Sequence, residues 1–390
     1  MPKQILPQTT LSDTPDEAKR RRKSGNSGLK TAQQRKNDEF YTRLEDIQNE
    51  VNAYVTYNPD VFRDKTLLLP CDDPEWSKFT RYFAQNFERL GLKKLISTSY
   101  APNSKNFNWH TGPNEYEMNS PLFDCVRSQR CGRIFVIDKD ITGDGKIDYD
   151  DIHWKYLKGD GDYHSDEVRR LLDEADVVVT NPPFSLFPDF IKWVTDAGKD
   201  FLLLANTCAI TYTSVFPLIV QGKLWLGATN FNRGMYFYVP DAFQYDKSYK
   251  FKRELNGHKV SRVSTVCWFT NLEHAKRHEP LSLMTMEDCM KHIHKKEFRE
   301  GSPYVKYDNY DAIEVPRVEA IPCNYDGVMG VPITFLDKFC PEQFEILGAT
   351  ESEGAGFSFG LWNASSGDPH ALVKGKAKFK RLFIRKITKE

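Results

Sequence analysis

Asn181-Pro182-Pro183-Phe184 is a run of four residues whose types and order suit the capture of an amino group. Asn181 offers a side-chain carbonyl. Pro182 has no N–H to donate and keeps its own carbonyl as an acceptor. Two acceptors side by side suit an amine with two hydrogens to give, and Phe184 adds a flat apolar face on which a planar ring can stack. An exocyclic amine on a heteroaromatic base satisfies all three groups. A strand that simply ends in a Pro-rich turn, with Phe184 in the core, is the plainer reading, and four residues alone do not separate the two.

The elements on either side place this run. Val177-Val178-Val179-Thr180 is an unbroken β-branched stretch, expected as a strand buried on both faces inside a parallel sheet. The two prolines cannot continue the ladder, so Asn181 falls at the carboxyl end of a central strand, where open α/β sheets bind their ligands. Upstream, Lys65–Leu69 reads as a strand, Ser77–Leu90 as a helix burying Phe79, Tyr82, Phe83 and Phe87, and Lys93–Ser97 as a second strand beyond Gly91. A helix over Ser165–Glu174, with Ser165 as its cap, leads into the valine strand. Downstream come a helix (Pro188–Ala197), a strand (Phe201–Leu204), a helix (Ser214–Val220) and a strand (Lys223–Leu226). Phe231–Pro240 and Val263–Phe269 also read as strands, and Asn256-Gly257 between them marks a hairpin. The fold class is α/β with a parallel, doubly wound sheet, and the strand–helix alternation is lost beyond about Asn271.

A chain of 390 residues holds roughly two or three domains. No apolar run reaches the length of a membrane span and no secretory core opens the chain, so a soluble, cytoplasmic protein with no membrane partner is expected. Eight cysteines without a Cys-x-x-Cys pair suggest neither a zinc ribbon nor a disulfide framework. The formal net charge is zero but unevenly spread. Residues 1–36, expected as a flexible basic arm, carry nine Lys/Arg against three acids, with Arg20, Arg21, Arg22 and Lys23 in one cluster. Residues 371–390 carry eight against one, interleaved with Phe379, Leu382, Phe383 and Ile384. Basic ends on an acidic middle point to a polyanion held from the termini. Lys247, Lys250, Lys252, Arg253, Lys259 and Arg262, set among Tyr245, Tyr249 and Phe251, make the hairpin a further candidate for phosphate contacts.

Metal chemistry is not expected. Asp140, Thr142, Asp144, Gly145, Asp148 and Asp151 fall at EF-hand-like spacing, but position 3 is Thr, position 12 is Asp and flanking helices are missing. A hairpin of Arg133–Asp138 and Ile147–Leu157 about the Asp-Gly turn explains the same residues more simply. His274, His278, His292 and His294 are expected at the surface, since no Cys or acid completes a tetrahedral set.

In this order the pieces resemble the adenine-specific DNA methyltransferases, and closely resemble the EcoRI-type modification methylases. The resemblance rests on Asp38-Glu39-Phe40-Tyr41-Thr42, Cys71-Asp72-Asp73-Pro74, Gly91–Ile96, Gly159-Asp160-Gly161-Asp162 and Val178–Phe187. Further on it rests on Trp225-Leu226-Gly227, Lys306–Ile313 and Tyr325–Leu336. The basic arm, residues 101–150 and residues 350–372 are not covered. It implies S-adenosylmethionine as methyl donor, N6 of adenine in double-stranded DNA as acceptor, and a seven-stranded Rossmann-like class I methyltransferase sheet. It further implies a catalytic domain over 37–272, an α+β target-recognition region over 273–390, a monomer or weak dimer, and a role in restriction-modification or phage DNA modification. Carried over by position, Asn181, Pro182, Pro183 and Phe184 match the catalytic motif. Phe40, Tyr41 and Thr42 match the first cofactor motif and Pro70, Cys71, Asp72 and Asp73 the loop after strand one. Asp162 and Tyr163 match the pair that holds the cofactor's adenine.

Two departures stand out. The strand-one loop lacks the usual glycines, so Asp72 or Asp73 is expected to take the cofactor's ammonium. Strand two ends in Ser97-Thr98-Ser99-Tyr100 with no acid for the ribose hydroxyls. The glycine-free loop keeps open a DNA-binding protein of this fold that transfers no methyl group, and an enzyme acting on adenine in RNA is the other alternative.

Overall fold

A computed structural model describes residues 41–73, 77–101, 119–231, 233–238, 251–253, 259–293, 298, 303–350 and 357–387. From the amino end these form β1 (Tyr41–Thr42), α1 (Leu44–Tyr57), β2 (Thr66–Pro70), α2 (Lys78–Gln85), β3 (Lys94–Ser99), β4 (Arg133–Ile137) and β5 (His153–Tyr156). Next come α3 (Asp166–Glu174), β6 (Val177–Thr180), α4 (Phe187–Asp196), β7 (Asp200–Asn206), α5 (Phe216–Val220) and β8 (Trp225–Leu226). They are followed by β9 (Met235–Tyr238), β10 (Phe251–Arg253), β11 (Lys259–Val263) and β12 (Val266–Thr270). The strands β2 to β8 and β12 build one mixed sheet of eight, in the order β5-β4-β3-β2-β6-β7-β12-β8.

The mixed α/β architecture is consistent with a methyltransferase fold. Its sheet departs from the parallel arrangement expected from the sequence. Only β3, β2, β6 and β7 run parallel to one another; β4 and β12 pair antiparallel with β3 and β7, while β5 pairs antiparallel with β4 as the expected hairpin requires. The register explains the left flank: Ser99, at the end of β3, lies opposite Arg133, at the start of β4. β3 thus ends, and β4 begins, at the carboxyl end of the parallel strands.

The strand before Asn181 is buried along its whole length. Val178 packs into one core layer with Leu68, while Val177 and Val179 pack into the other with Leu67 and Leu69. Alternating side chains thus meet apolar layers on both faces, which is what three successive valines require. Ser165 caps α3 as expected, its hydroxyl accepting from the Val168 amide. The expected single helix over 77–90 breaks at Asn86, whose amide side chain donates to the Tyr82 carbonyl at 2.8 Å.

Glu50 fixes α1 against the sheet. Its buried carboxylate accepts from Tyr54 Oη at 2.6 Å, from the amides of Ala228 and Thr229 at 2.8 Å each, and from Thr229 Oγ1 at 2.5 Å. Gly227 is glycine because a Cβ there would collide with the Glu50 carboxylate and with Trp268. A second sheet, β1-β9-β11-β10, is antiparallel throughout and pairs Thr42 with Phe237. β10 and β11 pair antiparallel as the two strands of the expected hairpin, with Arg253 opposite Lys259; Asn256 and Gly257 lie outside the described residues.

The C-terminal region contributes α6 (Met286–His292), β13 (Ile313–Glu314), β14 (Met329–Pro332), β15 (Phe344–Ala349), β16 (Leu372–Val373), β17 (Lys376–Ala377) and β18 (Arg381–Lys386). β13, β14, β18 and β15 form a sheet of their own. Its apolar residues, Met329, Val331, Phe344, Ile346, Leu382 and Ile384, join the core layer of Leu68 and Val178, so the two sheets share one core.

One histidine expectation is corrected. His274 is buried edge-on against Tyr54, with Nε2 3.0 Å from the Leu226 carbonyl, and burial lowers its pKa. The Asp140–Asp151 segment is a tight turn. Asp140 accepts from the amides of Gly143 and Gly145, and Asp151 accepts from Ile141, Thr142 and Asp148. Among the described residues no three His, Cys, Asp or Glu side chains cluster as metal ligands, and no helix is long and apolar enough to cross a membrane.

Candidate active site

The carboxyl ends of β2, β3 and β6 are laced together by hydroxyl groups. Thr180 Oγ1, the last residue of β6, lies 2.9 Å from the Pro70 carbonyl and 2.6 Å from Asp72 Oδ2. Ser77 Oγ donates to Asp72 Oδ1 at 2.6 Å, and Thr80 and Ser97 donate to the Asp72 carbonyl. Asp72 is buried, and that burial pushes its carboxyl up to about 7, against the partial relief that Ser77 and Thr180 supply. A single Thr180 proton cannot serve both of its neighbours. With Asp72 protonated every group is satisfied: Oδ2–H donates to Thr180, and Thr180 donates to Pro70.

This arrangement has a pH signature. The folded pKa lies above the unfolded value of 3.8, so the stabilisation is complete below about pH 4 and is lost as pH rises through 7. The difference amounts to about 4 kcal/mol. Asp72→Asn places an amide N–H where the carboxyl proton sits and accepts from Ser77 as before. We expect urea unfolding of that variant to vary less between pH 4 and 8, and its stability at pH 8 to exceed that of the parent. An unchanged pH profile would show that Asp72 is not the group concerned.

The two acids of the strand-one loop thus have partners within the chain. Asp72 faces inward and braces the loop through Ser77 and Thr180. Asp73 Oδ2 pairs with Arg133 at 2.8 Å, and Arg133 Nε also donates to Ser99 Oγ at 3.0 Å. The missing glycine has a counterpart: Cys71, exposed in the turn, has a φ of +84°, the left-handed region that glycine usually fills.

The Gly159–Asp162 segment is tied to the end of β3. The Ala101 amide donates to the Asp160 carbonyl at 2.7 Å, and the Gly132 amide to the Gly159 carbonyl at 2.9 Å. Gly161 has a φ of +89°, and a Cβ there would lie 2.5 Å from the Ser99 carbonyl. Asp162 is half-buried; its Oδ1 accepts from the His164 amide at 2.8 Å and its Oδ2 from Tyr100 Oη at 3.4 Å. Burial first, and then Asp162, raise the Tyr100 pKa, so the phenol stays a donor. Tyr163 turns into the core, with ring centroids 5.2 Å from Phe190 and 5.3 Å from Trp193.

Asn181 is half-buried at the end of β6, with Nδ2 3.5 Å from Oγ1 of buried Thr42. That contact turns Oδ1 the opposite way. Pro182 is buried, and half-buried Phe184 packs against the layer of Val177 and Val179. The structure therefore gathers Thr42, Pro70–Asp73, Asp162 and Asn181–Phe184 at one end of the sheet. Thr42 reaches Asn181 from β1, the edge strand of the hairpin sheet.

Arg262 is exposed on β11, its guanidinium donating to the Arg233 carbonyl. Arg20, Arg21, Arg22, Lys23, Phe40 and Lys250 lie outside the described residues, as do the side chains of Tyr41, Lys252, Arg253 and Lys259. The sequence reading missed Thr180, Tyr100 and the hydroxyls of Ser77, Thr80 and Ser97. The available signal was a threonine closing a valine strand and a second hydroxyl one turn into the next helix.

The profile of the family described as "Adenine-specific methyltransferase EcoRI" matches residues 28–387. The chain is 39% identical over 327 residues to the Type II methyltransferase M.EcoRI of Escherichia coli, covering 84% of this chain and 90% of that protein. It is 35% identical over 361 residues to the Type II methyltransferase M.MpnI of Mycoplasma pneumoniae, covering 92% and 97%. Identity to the Type II methyltransferase M.MgeORF184P of Mycoplasma genitalium is 34% over 360 residues, covering 91% and 97%. No solved structure matches the chain.

Proposed function

The chain belongs to the EcoRI family of adenine-specific methyltransferases, and from this premise we propose that it transfers a methyl group from S-adenosylmethionine to N6 of one adenine in a defined duplex DNA site. It is a site-specific DNA adenine methyltransferase, of the kind paired with restriction enzymes. We assign its large sheet to the Rossmann-like class I type, residues 37–272 to catalysis and 273–390 to target recognition, in a cytoplasmic monomer or weak dimer. The observation that carries the reading is the Asn181 carboxamide, set at the end of a fully buried strand with its nitrogen turned to Thr42.

S-adenosylmethionine, when bound, supplies an electrophilic methyl on a sulfonium. The donor set of the chain suits that molecule's adenine: Asp162 uses one acceptor site per oxygen, leaving capacity for an exocyclic amine, and Tyr100 stands beside it as a donor. Asp162 and Tyr100 would hold the adenine of the donor, and the left-handed turn at Cys71 would let the backbone approach it.

The remaining work falls to the catalytic motif. The target base must leave the stack, at roughly a few kcal/mol, because N6 is out of reach in the duplex. Phe184 recovers part of that by stacking, worth on the order of 1–3 kcal/mol. Asn181 Oδ1 and the Pro182 carbonyl accept from the two N6 hydrogens, aiming the nitrogen lone pair at the methyl. The proton leaves to water afterwards. Catalysis is then positioning and fixed dipoles, with no strong base.

The deciding experiment incubates the purified chain with methyl-labelled S-adenosylmethionine and plasmid DNA free of adenine methylation, then sequences the product for modified adenines. Modification at one recurring sequence is expected. Cofactor binding without transfer would favour a DNA-binding protein that has lost catalysis, and transfer to RNA alone would move the substrate class.

A further inference from the structure

We propose that the β16–β17 hairpin and the neighbouring Phe379 form a second duplex-DNA contact, in which Phe379 wedges between base pairs beside the target adenine while Lys374, Lys376 and Lys378 take the flanking phosphates. The inference rests on the methyltransferase reading above.

Phe379 is 73% exposed, the most exposed large hydrophobic side chain among the described residues. It does not sit on a loose end. Arg381, buried and paired with Glu314, donates from Nη1 to the carbonyls of Phe379 at 2.9 Å and Lys380 at 3.4 Å. The hairpin before it is equally fixed. Leu372 pairs with Ala377 and Val373 with Lys376, around a two-residue turn in which Lys374 and Gly375 have φ of +51° and +69°. The Gly375 amide donates to Asp308 Oδ2 at 2.7 Å, and the Lys378 amide to the Ala371 carbonyl at 2.8 Å. A large aromatic ring is thus held outward by a braced backbone, where water alone gives it no favourable partner.

Charge names the occupant. Residues 371–387 contain no acid, and Lys374 in the turn and Lys376 just after it are exposed. A rigid apolar wedge amid lysines matches proteins that unstack a base step while gripping the backbone around it. Position supports the same partner. Lys380 Nζ donates to Thr211 Oγ1 at 2.9 Å, and Thr211 closes the Thr207–Thr211 turn that follows the carboxyl end of β7. β7 is the parallel neighbour of β6, so the hairpin stands at the end of the sheet that carries Asn181.

The test uses the full chain and two 30-base-pair duplexes carrying the site mapped by sequencing, one with the target adenine in place for methylation and one with 2-aminopurine in its stead for fluorescence. For the Lys374→Ala/Lys376→Ala/Lys378→Ala protein, the slope of log affinity against log salt should be shallower by about two to three, near 0.9 per lost phosphate contact. Phe379→Ala should keep the parental slope but lower the 2-aminopurine fluorescence gain and single-turnover methylation about tenfold, with Phe379→Trp restoring both. Parental S-adenosylmethionine binding by every variant shows that each is folded. Parental slope, fluorescence and turnover in the variants overturn the contact and leave the enzyme reading intact. A parental chain that itself fails to methylate duplex DNA overturns both.

Discussion

Asn181→Ala is expected to lose about 10³-fold in single-turnover methyl transfer while binding S-adenosylmethionine with near-parental affinity, as loss of a preorganised polar partner does elsewhere. The strand that carries Asn181 is buried along its whole length by Val177, Val178, Val179 and Thr180, so truncating the next side chain leaves the scaffold standing. What goes is one of the two acceptors for the N6 hydrogens and the orientation it imposes. Thr42 reports on orientation separately, because its hydroxyl meets the Asn181 amide nitrogen and not the reacting groups. Thr42→Val should lower the same rate about tenfold with little change in DNA affinity, and Thr42→Ser should recover most of it. Parental transfer by Asn181→Ala would remove the clamp from the mechanism, whatever Thr42 does.

Much of this site is written locally in the sequence. Three valines and a threonine followed by Asn-Pro-Pro state a buried strand and a hard stop, and both appear where expected. The pairing of β10 with β11 and the Ser165 cap were legible for the same reason: the residues that specify them are neighbours. What stayed hidden depends on partners far apart. Asp72 was expected only as a candidate for the cofactor's ammonium, and it is the folded chain that brings Thr180, 108 positions away, onto its carboxylate. The sense of β4 relative to β3 was hidden because nothing in a short apolar run says from which end the chain enters it, whereas its hairpin with β5 followed from the Asp-Gly turn between them. His274 read as a surface histidine among charged neighbours, whereas Leu226 and Tyr54 close over it from elsewhere in the chain. Tyr163 carries its phenylalanine-like ring into the core, which its place beside Asp162 did not foretell.

Glu314→Ala is expected to cost the folded chain about 3–5 kcal/mol, read as a fall in the urea midpoint. Glu314 lies on β13 and Arg381 on β18, 67 positions later, and the guanidinium donates to both carboxylate oxygens, at 2.6 and 3.0 Å. Tyr307 adds a third donor to the same carboxylate, and Gly330 has no room for a Cβ against that phenol. Taking two charges out of water is costly, so the intact pair adds little net stability; removing one member leaves a buried cation with no counter-charge. The double variant Glu314→Leu/Arg381→Met should therefore recover most of the loss. The two variants part company at the hairpin. Arg381 in Glu314→Ala still has its donors but no carboxylate to anchor them, and the double variant has no donor for the Phe379 and Lys380 carbonyls at all. If the ring of Phe379 works by being held outward, the double variant will be stable yet slow to flip the target base. Stability and flipping falling together in both variants would instead make the ion pair a matter of folding alone.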